Sequence, residues 1–117
     1  MQYAWLGVGL QTVTPEVARA ASLITQSGSL VTIVYPDTPA AKAGIKGGSK
    51  TVAVGDRQLS VGGDVITAAD GRPIASSEEL IAFLSTKNPG DTVTITIERN
   101  GKTQDVTATL AARPADL

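Results

Sequence analysis

Cysteine and histidine are both absent from the 117 residues. Without cysteine there is no disulfide scaffold, no thiolate zinc site and no cysteine nucleophile. Without histidine, Ser-His-Asp and Cys-His catalysis are excluded, together with the commonest transition-metal ligand. Aromatic residues are only 3% of the chain, so a core must be assembled from Val, Ile, Leu and Ala. No stretch approaches the ~20 continuous apolar residues of a membrane span. Met1-Gln2-Tyr3-Ala4-Trp5 has neither the basic n-region nor the apolar h-region of a signal peptide. Either the protein is cytoplasmic or this is an internal piece of a longer chain, and a start directly at a strand-like segment favours the second. Ten Lys and Arg against eleven Asp and Glu give a formal net charge of −1. Nucleic acid, which calls for a concentrated basic face, is therefore not an expected partner. What remains is a chain of single-domain size with 42% hydrophobic residues, enough to pack one core.

Hydrophobic spacing divides this chain into short elements. Residues 3–13 place Leu6, Val8 and Leu10 at the period of a strand. Thr14-Pro15-Glu16 then supplies an N-cap, a proline at the first helical position and an acid at the positive end of the helix dipole. Gln26-Ser27-Gly28 is a loop, and residues 30–35 are a β-branched strand expected to be central. Thr38-Pro39 repeats the helix-start signal, with Gly44 as its C-terminal glycine. Residues 51–54 and 57–61 flank Gly55-Asp56 as a hairpin, framed by Gly47-Gly48 and Gly62-Gly63 and expected to project from the domain. Residues 65–68 form a strand closed at Asp70-Gly71, and Ser76 with Glu79 is a capping box opening a helix that carries Leu80, Ile81, Phe83 and Leu84. Residues 92–99 alternate Thr outward with Val93, Ile95 and Ile97 inward. Asn100-Gly101 turns them into residues 103–110, and residues 111–117 are expected to be a frayed tail or the start of a linker. The sum is a small α+β domain with a twisted antiparallel sheet or partly open barrel of five or six strands.

Reactive constellations are few. The paired glycines at 47–48 and 62–63 precede no Lys-Ser/Thr at phosphate-loop spacing and are hinges of the hairpin. Asp56, Asp64, Asp70 and Asp91 all stand beside glycine, where turn chemistry and solvation account for them, and none forms a calcium loop. No catalytic group, metal ligand set or cofactor motif is expected. Trp5-Leu6-Gly7-Val8-Gly9-Leu10 is different, because glycine in a strand interior leaves room for another backbone. Two readings fit it equally. One is an edge strand with a glycine bulge; the other is a groove beside the late helix that adds a peptide as a strand and holds its carboxylate in a nest of amides.

Here the sequence resembles a PDZ domain of the kind found in HtrA-type serine proteases. Trp5-Leu6-Gly7-Val8 resembles that family's carboxylate-binding motif, and Thr14-Pro15-Glu16-Val17-Ala18 its following helix. Pro39-Ala40-Ala41-Lys42-Ala43-Gly44-Ile45, Gly63-Asp64-Val65-Ile66, Asp70-Gly71-Arg72-Pro73-Ile74 and Lys87-Asn88-Pro89-Gly90-Asp91-Thr92-Val93 are each similar to family segments, and they stand in the family's order. Trp5 stands where tyrosine is more usual, the segment between Gly48 and Gly62 is an insertion, and no basic residue lies upstream of the motif to assist carboxylate binding.

The resemblance implies a PDZ domain over residues 3–110 in the permuted bacterial strand order, with two main helices, a hairpin inserted at about 49–62 and a tail at 111–117. It implies a non-catalytic module in which the amides of Leu6, Gly7 and Val8 hold a peptide carboxylate. Trp5, Gly9, Leu10, Ser77, Ile81 and Leu84 would complete the groove, with Leu84 a partly exposed wall and Leu80 and Phe83 turned to the core. Implied partners are C-termini or unfolded segments of proteins, and a protease domain in cis. The chain's own end is also such a ligand: Leu117 of a neighbouring molecule would enter the groove in trans. By resemblance the setting is extracytoplasmic, in the periplasm or cell envelope, with a membrane-anchored parent allowed. Alternatives are a different parent (a membrane metalloprotease, a tail-processing protease or a secretion component) or a structural β-domain without ligand.

Overall fold

The computed structural model describes residues 4–23, 25, 27–99 and 101–112. Tyr3, Gln26, Asn100 and the tail residues 113–117, Leu117 included, lie outside the described residues. The main sheet is antiparallel and runs β2 (Val8–Thr12), β3 (Ser29–Val34), β6 (Val65–Ala69), β8 (Thr92–Arg99), β9 (Lys102–Thr109), with β7 (Arg72–Pro73) on β6. Among the described residues it is open, with no closure into a barrel. The alternation expected of β8 holds: Val93, Ile95 and Ile97 are all fully buried, and β9 pairs with β8 over its whole length, from Thr92 opposite Thr109 to Arg99 opposite Lys102.

Three helices carry the caps read from the sequence. In α1 (Pro15–Ala20) the Thr14 hydroxyl accepts from Val17 N–H, and in α2 (Pro39–Ala43) the Thr38 hydroxyl accepts from Ala41 N–H. In α3 (Ser77–Leu84) Ser76 accepts from Glu79 N–H, while Glu79 reaches back to Ala75 N–H rather than to the N-cap itself. One apolar cluster lies between sheet, α2 and α3 and includes Leu6, Ile66, Leu80, Phe83 and Ile95.

Three expectations change. The first strand is interrupted at Leu6-Gly7, which separates β1 (Ala4–Trp5) from β2. The tail is not frayed from its start, because Ala111–Ala112 forms β10 and pairs antiparallel with β1, Trp5 opposite Ala111. The hairpin β4 (Lys50–Val54) and β5 (Arg57–Val61) turns at Gly55-Asp56 as read, but it does not project. Val54, Leu59 and Val61 fold back onto Val13, Val17 and Leu30 and build a second apolar cluster under α1. The insertion therefore contributes core, because one face of each of its strands is apolar and has α1 to cover it.

Asp64 also departs from its reading as a solvated turn residue, being buried. Its carboxylate accepts two bonds from Arg99, from Nε at 2.8 Å and Nη2 at 2.7 Å, and one from Lys46 N–H at 2.9 Å. Arg99 Nη2 also donates to the carbonyl of Gly44, which caps α2. The Asp64 hydrogen bond, against a smaller opposing effect of burial, raises the Arg99 pKa above its ordinary value. The network joins the end of α2, the start of β6 and the end of β8. Asp64→Ala strands Lys46 N–H and a guanidinium whose side chain is only 24% exposed, so urea unfolding should show a loss of about 2–4 kcal/mol. A loss under about 0.5 kcal/mol would mean the pair is solvated.

Candidate functional site: the edge of β2 and the loop before it

β2 is the terminal strand of the main sheet, so one edge of its backbone has no neighbouring strand among the described residues. α3 lies beside it. Their spacing is set where Thr12 ends β2: its hydroxyl accepts from Ser77 N–H and donates to Glu78 Oε1, both at 3.0 Å. The Ser77 hydroxyl in turn shares a 2.8 Å bond with Ser29 on β3. These bonds pin the N-terminus of α3 to the sheet beside β2, so that strand and helix are the candidate walls of a groove.

The loop ahead of β2 is held by its carbonyls. Leu6 C=O accepts from Ala40 N–H at the start of α2 (3.0 Å), and Gly7 C=O accepts from Tyr35 N–H at the end of β3 (3.1 Å). In a planar trans peptide unit the N–H points opposite to the C=O. With the Leu6 carbonyl committed to α2, the Gly7 N–H is turned away from α2. With the Gly7 carbonyl committed to β3, the Val8 N–H is turned away from β3, toward the open edge. Neither Leu6 N–H nor Gly7 N–H donates in a loop hydrogen bond among the described residues. Successive amides turned to one side in this way would form an anion nest, in a loop where Leu6 and Gly7 are themselves buried.

Gly7 is required here twice over. Its φ of +87° is unfavourable for any side chain, and a Cβ would collide with the Thr38 side chain. Thr38 is buried and donates from its hydroxyl to Tyr35 C=O at 2.7 Å, while accepting from Ala41 N–H at 3.3 Å. It therefore joins the two elements that clamp the loop carbonyls. Trp5, just upstream, stacks its ring on Tyr35 with centroids 6.4 Å apart and planes 24° from parallel. The glycine bulge is present as well, as a register shift between Gly9 and Leu10. The two readings of this segment are thus not exclusive.

On the apolar wall, Leu80 and Phe83 are buried as expected, and Val8 and Leu10 pack partly buried against the same cluster. Ile81 stands out at 58% exposure. Leu84 does not match its expected part-exposure: it is only 8% exposed and belongs to the core cluster, as does Leu6. Both leucines therefore sit in the core cluster rather than on an exposed wall. Sequence spacing assigns 77, 81 and 84 to one helix face but cannot tell how closely that face is approached at each end.

The residues missed from sequence are Thr12, Thr38 and Tyr35. Thr12 ends a strand and its bonds to Ser77 and Glu78 are long-range, so they carry no sequence signal; Thr38 already has a sufficient role as an N-cap, which hides its part beside the loop. No group of three or more Asp or Glu side chains among the described residues is arranged to hold a metal ion.

A family model described as "PDZ domain" matches residues 4–110. The chain belongs to the PDZ domain family. This PDZ domain is 32% identical over 116 residues to a probable periplasmic serine endoprotease DegP-like of Brucella suis biovar 1 (strain 1330), covering 99% of this chain and 20% of that protein. It is 36% identical over 113 residues to the protein of the same description from Marinomonas sp. (strain MWYL1), covering 97% and 21%. The domain thus spans about a fifth of the length of these curated relatives. Among solved structures it is similar to the HtrA-type protease AlgW with decapeptide, at TM-score 0.75 and 30% identity over 97% of this chain and 30% of that one. The HtrA3 PDZ domain bound to a phage-derived ligand shares the fold at TM-score 0.71 and 21% identity, over 97% of this chain and 89% of that one.

Proposed function

We propose that this PDZ domain is a peptide-binding module of an HtrA-like serine protease, taking C-termini or extended segments of proteins as an added strand on β2. The observation that supports it is the pair of clamped carbonyls, Leu6 on Ala40 and Gly7 on Tyr35, which turns the Gly7 and Val8 amides outward at a free sheet edge. A peptide running antiparallel to β2 would bring its terminal carboxylate to those amides, with Leu6 N–H as a third donor. Its last side chain would be set over Leu6 and Leu84, and earlier residues would pass Ile81 toward Ser77. Strand bonds, charge-assisted bonds to the carboxylate and one buried side chain worth roughly 1.5–3 kcal/mol suit affinities on the order of micromolar. The similarity to DegP-like proteins supports a protease domain elsewhere in the parent chain and a periplasmic setting. The domain's task would be to recognise or present substrate, with the chemistry done by that other domain.

Amidation of the ligand tests the reading. Removing the charge at which the amides are aimed should weaken binding at least about tenfold, since a bond to a charged group is worth ~1.5–3 kcal/mol. Fluorescence anisotropy with acid and amide forms of one peptide measures this. Equal affinities would mean that the groove reads internal segments instead.

A further inference from the structure

The helix that clamps Leu6 has little of its own to hold it in place. α2 is five residues, Pro-Ala-Ala-Lys-Ala, and an isolated turn of helix is not stable in water. Pro39 and Ala40 are its buried residues, and Ala43 packs partly buried on the main cluster. The helix thus offers that cluster a ring and methyl groups, with no long side chain to interdigitate. Contact of this kind is non-directional and does little to stop the helix from sliding or turning. Hydrogen bonds at its two ends fix it instead. Thr38 holds the N-terminal end, between Tyr35 and Ala41. Beyond the C-terminal end the chain is gripped on both sides of Ile45, by Arg99 at Gly44 C=O (2.8 Å) and by Asp64 at Lys46 N–H (2.9 Å). Asp64 also donates its own N–H to Lys46 C=O at 2.9 Å, while its C=O accepts from Val31 N–H at 2.8 Å. Val31 lies on β3, the strand that ends at the clamp on Gly7. Both clamps of the loop are therefore tied together by one ion pair.

We propose that Arg99 is a positioning residue for the peptide carboxylate: held on Asp64, it fixes α2 against β3 and so keeps the Gly7 and Val8 amides aimed outward. The inference rests on the peptide-binding reading above. Ala40 and Gly44 are only about 6 Å apart along the helix axis, so movement at one end of α2 is felt at the other. The Ala40 to Leu6 bond is 3.0 Å long, and a shift of about 1 Å would carry it out of hydrogen-bond range. The Leu6-Gly7 peptide plane could then turn, taking the Gly7 N–H with it. A loosened nest has to be ordered by its ligand, and that cost is subtracted from the bond to the carboxylate. An amidated peptide, bound through the edge of β2, would not feel the loss.

Arg99→Lys tests this. Lysine keeps a positive charge beside Asp64, so the buried carboxylate is not left alone, but its single nitrogen cannot reproduce the fork and its reach to Gly44. Labelled Gly-Ser-Gly-Val-Ser-Leu, as free acid and as amide, is titrated by anisotropy against the domain, Arg99→Lys and Val61→Ala, each corrected for its folded fraction. The acid-to-amide affinity ratio should fall at least about fourfold in Arg99→Lys, with the amide bound within about twofold of its parent value. Val61→Ala weakens the second apolar cluster, which holds no α2 residue, and should keep the parent ratio. A merely structural role for Arg99 would give that same result, so an unchanged ratio in folded Arg99→Lys overturns the proposal and leaves the peptide-binding reading standing. Should Arg99→Lys fail to fold, the unaltered domain decides, because coupling between two sites is reciprocal. Saturation with the acid should then slow solvent exchange of the Arg99 Nε proton, followed by NMR, at least about threefold more than saturation with the amide. Equal exchange in the two complexes overturns the proposal. A parent ratio of one overturns the carboxylate reading, and failure of both peptides to bind overturns the peptide-binding reading; the role of Arg99 falls with either.

Discussion

Leu84→Asp should leave the domain without a cooperative unfolding transition at 37 °C. Leu84 is 8% exposed and packed in the main core, so the substitution places a carboxylate where no donor awaits it. An unpaired charge removed from water costs several kcal/mol, and truncation of the leucine adds a cavity. Against a total stability of about 5–15 kcal/mol, that sum is most of what a small domain has. Leu84→Ala, which loses packing without burying charge, should fold at a cost of about 2–5 kcal/mol. Urea denaturation of the pair decides the matter. If Leu84→Asp unfolds within about 1 kcal/mol of the parent, the helix presents this residue to solvent and the packing described for the end of α3 is wrong.

Gly7→Ala should remove discrimination between acid and amide peptides. A left-handed backbone costs a residue with a side chain roughly 1–2 kcal/mol. The added methyl must also displace Thr38, which is buried and bonded to both Tyr35 and Ala41. The loop has to leave its clamp, and the Gly7 and Val8 amides turn with it. We expect a stability loss of about 3 kcal/mol and an acid-to-amide affinity ratio near one, measured on the folded fraction. An unchanged ratio would show that the carboxylate is not held by these amides.

Much of the fold was legible because its signals are local. The caps at Thr14, Thr38 and Ser76, the alternation of β8 and the Gly55-Asp56 turn each depend on neighbours within four residues, and the structure carries all of them. For the candidate site the residues left a bulged edge strand and a groove equally open, and family resemblance favoured the second, because a groove is made by residues remote in sequence. Position in the fold decided what spacing could not. Asp64 beside a glycine has the local chemistry of a turn, and only the arrival of Arg99 from β8 makes it a buried anchor. The inserted hairpin has one apolar face, but its cover is supplied by α1, thirty-odd residues earlier. Leu84 has the helical phase of a groove wall, but it is buried in the same core cluster as Leu6.

The two-residue ribbon of β1 and β10 has a mechanical consequence. Ala4 faces Ala112 and Trp5 faces Ala111, so the first and last described strands lie side by side and leave the domain at the same place. Tension drawing the flanking chain apart would load this ribbon as a zipper, one pair at a time, rather than shearing all its bonds together. The first pair to part is Ala4 with Ala112, the second Trp5 with Ala111. The next residue in line is Leu6. A pull on the ends of this domain would therefore be felt at the carboxylate loop before it reached the sheet, and Trp5, stacked on Tyr35, would be the last side chain resisting it.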